Sequence, residues 1–504
     1  MLVMSRGRRR VVTAGVMTGM LLAALEATVV GTAMPTIVAT LGGLAHYSWV
    51  FSAYLLTSTV SVPVWGKLSD LFGRRPLFQT GIGIFLLGSA ACGFSQTMTQ
   101  LIGARALQGL GAGALIPLAM TIIGDIFTLE ERARMQGLFS GVWGVSSVFG
   151  PLVGGFITDQ LSWRWVFLIN LPVGIAAAAI IGFALIEPKR EGRATIDYAG
   201  ATVLTVAVTM LLLVLGEGSS PQRLLRPGNL ALIVAIVVML AAFIRIEKRA
   251  VDPVVPLDLF RNRVVSAAII VGFLAGVAMF AGITFVPLLA QGVLGATATE
   301  AGSFLTPLMI SWVLASIVGG RLLIRISQRN LVLTGLLLML AGFSSLAMFS
   351  RTTPRAVFMV ELAVIGAGLG VTMLTLLIAA QHSVPREKLG ITTSLSQFSR
   401  SIGGAIGVAI LGAFLAAGLS EFSQDPNALV NAEARARMAP AELAQLQGAL
   451  EGTLRTIFWA CAAAVVAALA VAWTIPSGKV GEADGERMVM AEMTTLDPES
   501  EPEG

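Results

Sequence analysis

Three ionisable residues stand inside long apolar runs of this sequence, where an ionised group is costly. Glu26 lies about 14 residues into a run near 12–34, hence roughly 21 Å from its start at about 1.5 Å per residue. An acid at that depth costs roughly 2.5 kcal/mol or more if it faces lipid, so we expect it to face a cavity. There it could bind and release a proton, and its ionised form could attract a cation. The alternative is a structural hydrogen bond to a neighbouring helix.

Arg105 and Glu361 lie closer to the ends of their apolar runs. Arg105 comes early in the run near 101–123, about 6 Å from the membrane surface, and Glu26 would lie about 9 Å from the same surface. These two side chains could therefore pair if their helices are neighbours. Snorkelling of Arg105 to the interface is the alternative. Glu361 reaches a similar depth in the second half of the chain, which makes it a further candidate for proton coupling.

The segment Gly66–Pro76 places two glycines, an acid and three bases between two apolar runs. A glycine at 66 permits close helix approach, and a glycine at 73 allows a tight turn. Asp70 can pair with a base or face a helix N-terminus. Asp125, at the end of the run near 101–123, should pair with the basic residues around Arg74. We interpret this set as a conformational latch that comprises Gly66, Asp70, Gly73, Arg74, Arg75 and Asp125.

Glycines recur every four or five residues beside a proline in the run near 136–158. Small residues let helices cross closely, and a proline lets a helix bend. We interpret this segment as a hinge, with plain helix packing as the alternative. Its residues are Gly141, Gly150, Pro151, Gly154 and Gly155.

Residue types needed for enzyme or metal chemistry are scarce. His46 and His382 are the only imidazoles, and Cys92 and Cys461 lie far apart inside apolar runs. Zinc catalysis and a histidine-based triad are therefore not expected, and no metal ligand is assigned. The sequence has no GxxxxGK[ST] loop for a nucleotide phosphate. We expect no catalytic residue, and hence no enzyme, and no cofactor.

The elements that must position these residues are membrane-spanning helices. Of the 504 residues, 55% are hydrophobic and 12% are charged, so the apolar surface exceeds what a soluble core would bury. The apolar runs are about 18 to 25 residues long, which fits helices and not barrel strands. We predict an all-α integral membrane protein with spans near 12–34, 48–66, 77–95, 101–123, 136–158, 165–186, 198–216, 229–246, 265–288, 301–320, 331–350, 356–379, 398–418 and 455–475.

Basic residues fall unevenly on the two sides of these fourteen predicted spans. If the N-terminus is cytoplasmic, 25 of the 34 Lys and Arg residues lie inside, among them Arg400, while 8 lie outside and Arg105 lies within a span. Because cytoplasmic loops are rich in Lys and Arg, we predict a multi-pass protein of the cell membrane with both termini in the cytoplasm. This topology accounts for the net charge of +5, so we expect no nucleic-acid partner.

An internal repeat divides the chain into two halves. Gly66-Lys67-Leu68 followed by Arg75 is echoed by Gly320-Arg321-Leu322 followed by Arg329, with the same spacing. We predict a six-helix N-terminal bundle in residues 1–186 and a six-helix C-terminal bundle in 264–475. Residues 187–263 would then hold two inserted helices and a cytoplasmic linker. Transporters are commonly built from such halves, with the substrate site between them.

Two segments outside the predicted spans are longer than a tight connection. Residues 419–453 are predicted to form an external loop. Leucines recur in it at helical spacing, which suggests a short amphipathic helix on the membrane surface or on the bundle, with a solvated loop as the alternative. These are Leu443, Leu446, Leu450 and Leu454. Residues 476–504 are predicted to form a disordered, acidic cytoplasmic tail.

The segment Gly66–Pro76 resembles the signature loop of the major facilitator superfamily at nearly every position. Leu101–Gly113 is similar to the fourth-helix motif of that superfamily, and Gly141–Gly155 is similar to the fifth-helix motif of its antiporters. Further segments resemble the fourteen-span drug:proton antiporter family, namely Leu25–Pro35, Trp163–Pro172 and Asp197–Gly200. That family usually has aspartate where Glu26 stands here, and often asparagine where Gly31 stands.

The resemblance implies a major-facilitator fold of two six-helix bundles plus two extra central helices. Together with Glu26, it implies a proton-coupled antiporter for multidrug efflux that exports lipophilic, cationic compounds by alternating access. The proton gradient would supply the energy, and the partners would be the small substrate, protons and membrane lipid, with the chain acting as a monomer. The alternatives are an exporter of an endogenous lipid, siderophore or antibiotic, and a nutrient facilitator.

Overall fold

The structure is a computed structural model that describes residues 4–127, 129–186, 198–216, 227–250, 257–323, 325–385, 388–420 and 438–478. These ranges contain fourteen helices of 15 residues or more and no strand. In chain order they are α1 Arg6–Leu41, α2 Tyr47–Phe72, α3 Arg74–Phe94, α4 Met98–Ile126, α5 Leu129–Gln160, α6 Asn170–Ala184, α7 Tyr198–Gly216, α8 Pro227–Glu247, α9 Arg263–Leu288, α10 Ala298–Leu322, α11 Gln328–Ala347, α12 Arg355–His382, α13 Leu389–Ser420 and α14 Pro440–Ala472.

The lengths of these helices match a membrane. Eleven helical segments in the described ranges are long and apolar enough to cross one. The helices α2, α5 and α7 coincide with the three remaining predicted spans but are not among the eleven. The chain is thus an all-helical, multi-pass membrane protein, and the count of fourteen spans stays a prediction.

Local signals begin and end several of these helices. The Thr97 side chain accepts a hydrogen bond from the Gln100 backbone N–H at the start of α4. Thr297 and Glu300 form a capping box at the start of α10. Gly73, at φ 93°, separates α2 from α3, where a residue with a Cβ would be strained.

The helices pack as two halves with the same internal pattern. Helices α1–α6 form one half and α9–α14 the other. In each half the first helix packs on the fifth and sixth, and the fourth packs on the second and third. The pair α7 and α8 pack on each other, and α7 also touches α2 and α13. The pattern of contacts between helices is therefore the same in both halves, and the domain boundaries taken from the echoed segments stay a prediction.

The halves meet through α2 with α13 and through α5 with α10. The hydroxyl of Tyr47 donates to the Thr284 carbonyl at 2.8 Å, and the amide of Gln291 donates to the Thr32 carbonyl at 2.9 Å. These contacts lie at the end of the bundle where α1 ends, which we call the far end. The opposite end, where α1 begins with its arginines, we call the basic end.

Space opens between helices nearer the basic end. Within the described residues, no packing atom lies within 4 Å of the position that a Cβ would take at Gly66 of α2 or at Gly141 of α5. The prediction that Gly66 permits close helix approach is therefore wrong in this conformation. Contacts between the halves are thus present at the far end, while these two positions of α2 and α5 have open space beside them.

The predicted boundaries of the last two spans are also wrong. Helix α13 begins at Leu389, nine residues before the predicted span, and Arg400, which we had counted among the cytoplasmic basic residues, lies 11 residues into the helix. Polar residues on one face of its first turns lower the local hydropathy, and this hid the helix. Helix α14 begins at Pro440, so the leucine-rich segment is the start of the last helix and packs on the bundle instead of forming a separate surface helix. Residues 421–437 and 479–504 lie outside the described residues.

Candidate proton-coupling site

Glu26 and Arg105 form an ion pair inside the first half. Glu26 on α1 is 2% exposed, and Arg105 on α4 is 1% exposed. A terminal guanidinium nitrogen of Arg105 donates to Oε1 of Glu26. The sequence predicted this pairing from the similar depths of the two residues. It also predicted that Glu26 faces a cavity, but here the carboxylate is enclosed by helices of the first half.

Two side-chain amides that the sequence analysis did not assign complete the site. Asn170, at the start of α6, donates to Oε2 of Glu26 at 2.6 Å. Gln108, one turn after Arg105 on α4, accepts from Arg105 at 2.6 Å and donates to the Ser89 hydroxyl at 2.6 Å. Both amides stand in apolar runs, where a polar side chain needs a partner. That signal could have identified them.

Arg105 is also held by groups on α2. Its Nε donates to the Val50 carbonyl at 3.2 Å, and its guanidinium carbon lies 4.1 Å from the centroid of the Tyr54 ring. A cation over an aromatic face is attracted by the ring quadrupole. Together with Ser89 of α3 and Asn170 of α6, these contacts join five helices of the first half around one ion pair.

Glycines of α4 bring the neighbouring helices close enough for these bonds. A Cβ at Gly109 would lie 2.5 Å from the Tyr54 carbonyl of α2, and a Cβ at Gly111 would lie 2.6 Å from the Gly81 carbonyl of α3. Neither distance leaves room for a side chain. The fourth-helix motif therefore sets the spacing at which Arg105 reaches α1 and α2.

The charges of the site balance as long as Glu26 is ionised. Burying an ion pair is costly unless further hydrogen bonds satisfy its atoms, and here both carboxylate oxygens have donors. Addition of a proton to Glu26 removes the negative charge and leaves the Arg105 cation without a counter-ion. Protonation of Glu26 therefore changes the local charge and the bonds that join α1 to α4 and α6.

Glu361 lies in the second half and is not brought near Glu26. It is buried on α12, where Oε1 accepts from the Ser345 hydroxyl of α11 at 2.5 Å. Its Oε2 is buried and has no hydrogen-bond partner within the described residues. The surroundings of the two acids thus differ, because Glu26 has a cation and an amide whereas Glu361 has one hydroxyl.

The basic loop forms the predicted pair between Arg74 and Asp125. Arg74 Nε lies 3.4 Å from Oδ2 of Asp125, and a terminal nitrogen of Arg74 donates to the Ser69 hydroxyl at 2.5 Å. These bonds tie the start of α3 to the ends of α2 and α4. The side chain of Asp70 lies outside what the structure describes, and the side chain of Arg75, the residue after Arg74, is partly buried. The latch role of the set stays a prediction.

The glycines of α5 contact two different helices. Gly150 and Gly154 face α1, where a Cβ at Gly154 would lie 2.5 Å from the Val29 carbonyl. Gly155 faces α10, where a Cβ would lie 2.5 Å from the Ala298 carbonyl, and the Pro151 carbonyl packs against Gly302 of α10. Gly141 is not brought into this contact. The segment thus joins the Glu26 helix to the second half.

Asp159, which the sequence analysis did not identify, connects the halves at the far end. From the end of α5 it accepts hydrogen bonds from the backbone N–H of Ala298 at 3.2 Å and of Thr299 at 2.8 Å. A carboxylate is favourable at a helix N-terminus, here that of α10. Two signals in the sequence could have identified Asp159. One is an acid at the end of a glycine-rich helix, and the other is the capping box at the start of α10.

Two six-helix halves with the same packing pattern, with an ion pair buried inside the first half, are the architecture of a multi-pass membrane transporter. The chain belongs to the major facilitator superfamily, whose family model matches residues 16–408.

The chain is 43% identical over 410 residues to the multidrug transporter protein MdtP of Bacillus subtilis, covering 81% of this chain and 76% of that protein. It is 38% identical to multidrug resistance protein 3 of the same organism, covering 80% and 78%. Another relative, 34% identical over 77% of this chain and 68% of its own length, is the efflux pump dotC of Dothistroma septosporum. These names support a role in drug efflux.

Solved structures share the fold at low identity. A bacterial homologue of the human lysosomal transporter Spinster, inward-facing and unoccupied, superposes with a TM-score of 0.68 at 17% identity, covering 94% of this chain and 98% of that one. A D-xylose-proton symporter superposes with a TM-score of 0.61 at 14% identity, covering 93% and 98%.

Proposed function

We propose that this chain is a proton-coupled antiporter of the fourteen-span drug:proton family that exports lipophilic, cationic compounds across the cell membrane. The observation that carries the proposal is the buried ion pair of Glu26 and Arg105 in a transporter whose relatives are named multidrug transporters. An intramembrane acid that can gain a proton is what coupling to a proton gradient requires. The chain would work as a monomer, without a cofactor.

The orientation belongs to the same proposal. With both termini in the cytoplasm, the far end is external and the contacts between Tyr47, Gln291, Asp159 and their partners close the outer side. The structure would then be inward-facing. A cysteine placed at residue 430 should react with an impermeant thiol reagent from outside the cell, whereas labelling from the inside alone would overturn the orientation.

Competition at Glu26 provides the coupling. When Glu26 is ionised, Arg105 and Asn170 donate hydrogen bonds to its carboxylate, and its negative charge can also attract a nearby cationic substrate. When Glu26 binds a proton, Arg105 is left as a net positive charge that repels a cationic substrate. Because proton and substrate then disfavour each other, an inward proton gradient drives the substrate outward. The pair at Arg74 and the latch residues Gly66, Asp70, Gly73, Arg75 and Asp125 would control the switch between states.

Efflux from energised vesicles tests the proposal. Glu26→Gln removes the titrating group at nearly constant volume, so it should eliminate protonophore-sensitive efflux, whereas Glu26→Asp should keep part of it. Glu442→Gln is the matched control, because Glu442 is an exposed acid in the first turn of α14. Undiminished, protonophore-sensitive efflux by Glu26→Gln would show that another acid, with Glu361 and Asp125 the first to test, carries the proton.

An exporter of an endogenous lipid, siderophore or antibiotic is the second candidate, and the environment of Arg400 described below favours an amphiphilic substrate. A nutrient facilitator would differ from both, because its uptake would not require a proton gradient. A susceptibility panel that compares expressing and non-expressing cells separates drug export from the other two.

A further inference from the structure

Helix α13 carries a polar stripe in its first half that the coupling site does not use. Thr393, Gln397, Arg400 and Ser401 recur at helical spacing in an apolar segment, Ile391–Leu419, that is long enough to cross a membrane. Arg400 lies about 14 Å along the helix from Ile391 at about 1.5 Å per residue, within this apolar segment. An arginine within such a segment is costly unless it faces a partner or a cavity.

The packing of α13 shows which way this stripe faces. Ser399 donates to a carbonyl of α9, the Ile269 carbonyl, at 2.7 Å, and the Ala405 carbonyl accepts from a serine of α2 at 3.2 Å. At about 100° per residue, Arg400 and Gln397 fall between these two packed faces. On that side Gln381 of α12 donates to Thr393 at 2.8 Å. The polar stripe therefore lies beside α12. It is the side of α13 between the face that packs on α9 of the second half and the face that packs on α2 of the first half. Gln397 is exposed on this side.

The positive charge of Arg400 is not neutralised within the described residues. One terminal nitrogen donates to the Gln397 side-chain oxygen at 2.5 Å, and Nε is buried without a hydrogen-bond partner. Helices α9 and α13 contain no Asp or Glu. The one acid of α12, Glu361, lies 20 residues before Gln381, about 30 Å along the helix. Arg105 in the first half, by contrast, has an acid in direct contact.

A guanidinium with unused donors suits one kind of ligand. Its planar fork matches the two oxygens of a carboxylate or phosphate, and the Gln397 oxygen holds one arm in place. In the next turn of α13, Gly404 packs against the Phe280 ring of α9, and Gly403 packs against the Phe273 backbone. The Phe280 ring thus places apolar aromatic surface one turn from Arg400, as an amphiphile with a charged head requires.

We propose that Arg400, with Gln397, is the binding subsite for the carboxylate or phosphate head of a lipophilic substrate held between the two halves. The proposal rests on the transport function proposed above, to which it adds a substrate class, anionic and zwitterionic amphiphiles. It places recognition of negative charge in the second half, opposite the site of Glu26 in the first.

Equilibrium binding to the full-length protein in phosphatidylcholine nanodiscs tests this subsite without a gradient. The probes are three dansyl-labelled undecane chains that end in a carboxylate, a methyl ester or a primary amine. Arg400→Gln should weaken binding of the carboxylate by about tenfold or more, since a charge-assisted bond is lost, and should leave the ester and amine within about twofold. Arg400→Lys should lie between, because it keeps the charge and loses the fork.

Arg263→Gln is the control variant, because Arg263 is an exposed arginine at the first turn of α9. Unchanged carboxylate binding by Arg400→Gln would overturn the subsite, and equal losses for all three probes would assign Arg400 a structural role instead. If Arg400→Gln does not purify as a monodisperse protein, the selective loss must appear in Arg400→Lys or the proposal fails.

Competition separates an amphiphile from a free anion. A lysophosphatidic acid should displace the carboxylate probe at far lower concentration than inorganic phosphate, and equal potency would reduce the site to one for small anions and overturn the proposed substrate class. Because these binding assays have no proton gradient, they measure the subsite apart from proton coupling. Selective loss of the carboxylate probe by Arg400→Gln together with undiminished efflux by Glu26→Gln would overturn the proposed coupling and leave the subsite supported.

Discussion

Gly155 offers a direct test of the idea that the far end is a closed gate. A Cβ there would lie 2.5 Å from the Ala298 carbonyl, whereas ordinary contact begins near 3.4 Å, so α5 and α10 would have to separate by roughly 1 Å. Overpacking of this kind costs about 1–3 kcal/mol. Because the clash exists only while the far end is closed, Gly155→Ala should shift the population toward far-end-open states by about 5- to 150-fold.

Spin-label distances measured across the far end check this expectation. Labels at Gln160 and Thr352 occupy exposed positions on the two halves, and the Gly155→Ala variant should add a longer distance to their distribution. Gly141→Ala is the matched control on the same helix, because no atom of the part of the chain that the structure describes packs within 4 Å of its Cβ position. An unchanged distribution for Gly155→Ala, or the same change for both variants, would refute the reasoning.

The remaining predictions concern charged groups. Arg105→Gln should lower the free energy of unfolding by about 3–5 kcal/mol, since it strands the Glu26 carboxylate, and adding Glu26→Gln should recover most of the loss in thermal denaturation of purified protein. Asp159→Asn should weaken far-end closure by about 0.3–1 kcal/mol, seen as more of the long spin-label distance. The Lys388 hydrogen bond lowers the pKa of Asp258, outside the membrane, below its ordinary 3.8. The stabilisation from the Asp258–Lys388 pair is therefore present above pH 3.8 and is lost as the pH falls through the lowered pKa of Asp258. Lys388→Gln should make the free energy of unfolding depend less on pH below 3.8. The effect should be small, because both side chains are exposed.

The sequence was informative wherever a residue type contradicted its surroundings. An acid and an arginine in apolar runs indicated a pair, and their depths along neighbouring helices matched, so the contact of Glu26 and Arg105 could be predicted. The amide of Asn170 could not be placed, because it is 144 residues from Glu26 and only the fold brings α6 to α1. Asp159 was missed for the same reason.

Errors in the predicted boundaries have a common physical origin. Hydropathy identifies helices that face lipid, but α13 begins with residues that face other helices and the space between the halves. Its polar stripe lowered the local hydropathy, so the predicted span began only at residue 398 and Arg400 was counted with the cytoplasmic residues. In α14 the buried residues Leu446, Leu450 and Leu454 face the bundle while polar residues cover the other side. Neither helix could be bounded by apolar run length alone.

The contacts that close the far end are of a kind that water can replace. Tyr47, Ser52 and Gln291 each donate to a backbone carbonyl of the opposite half, and Asp159 accepts from backbone N–H groups of α10. The net worth of such a bond is only about 0.5–1.5 kcal/mol, because water offers similar partners once the helices separate. Glycines also let the backbones of α5 and α10 pack closely, and they have no side chains that would interdigitate and hinder separation of the helices. If the far end is a gate, as proposed, it can open without losing a buried ion pair, because the charged interactions of Glu26 and Arg105 stay within one half.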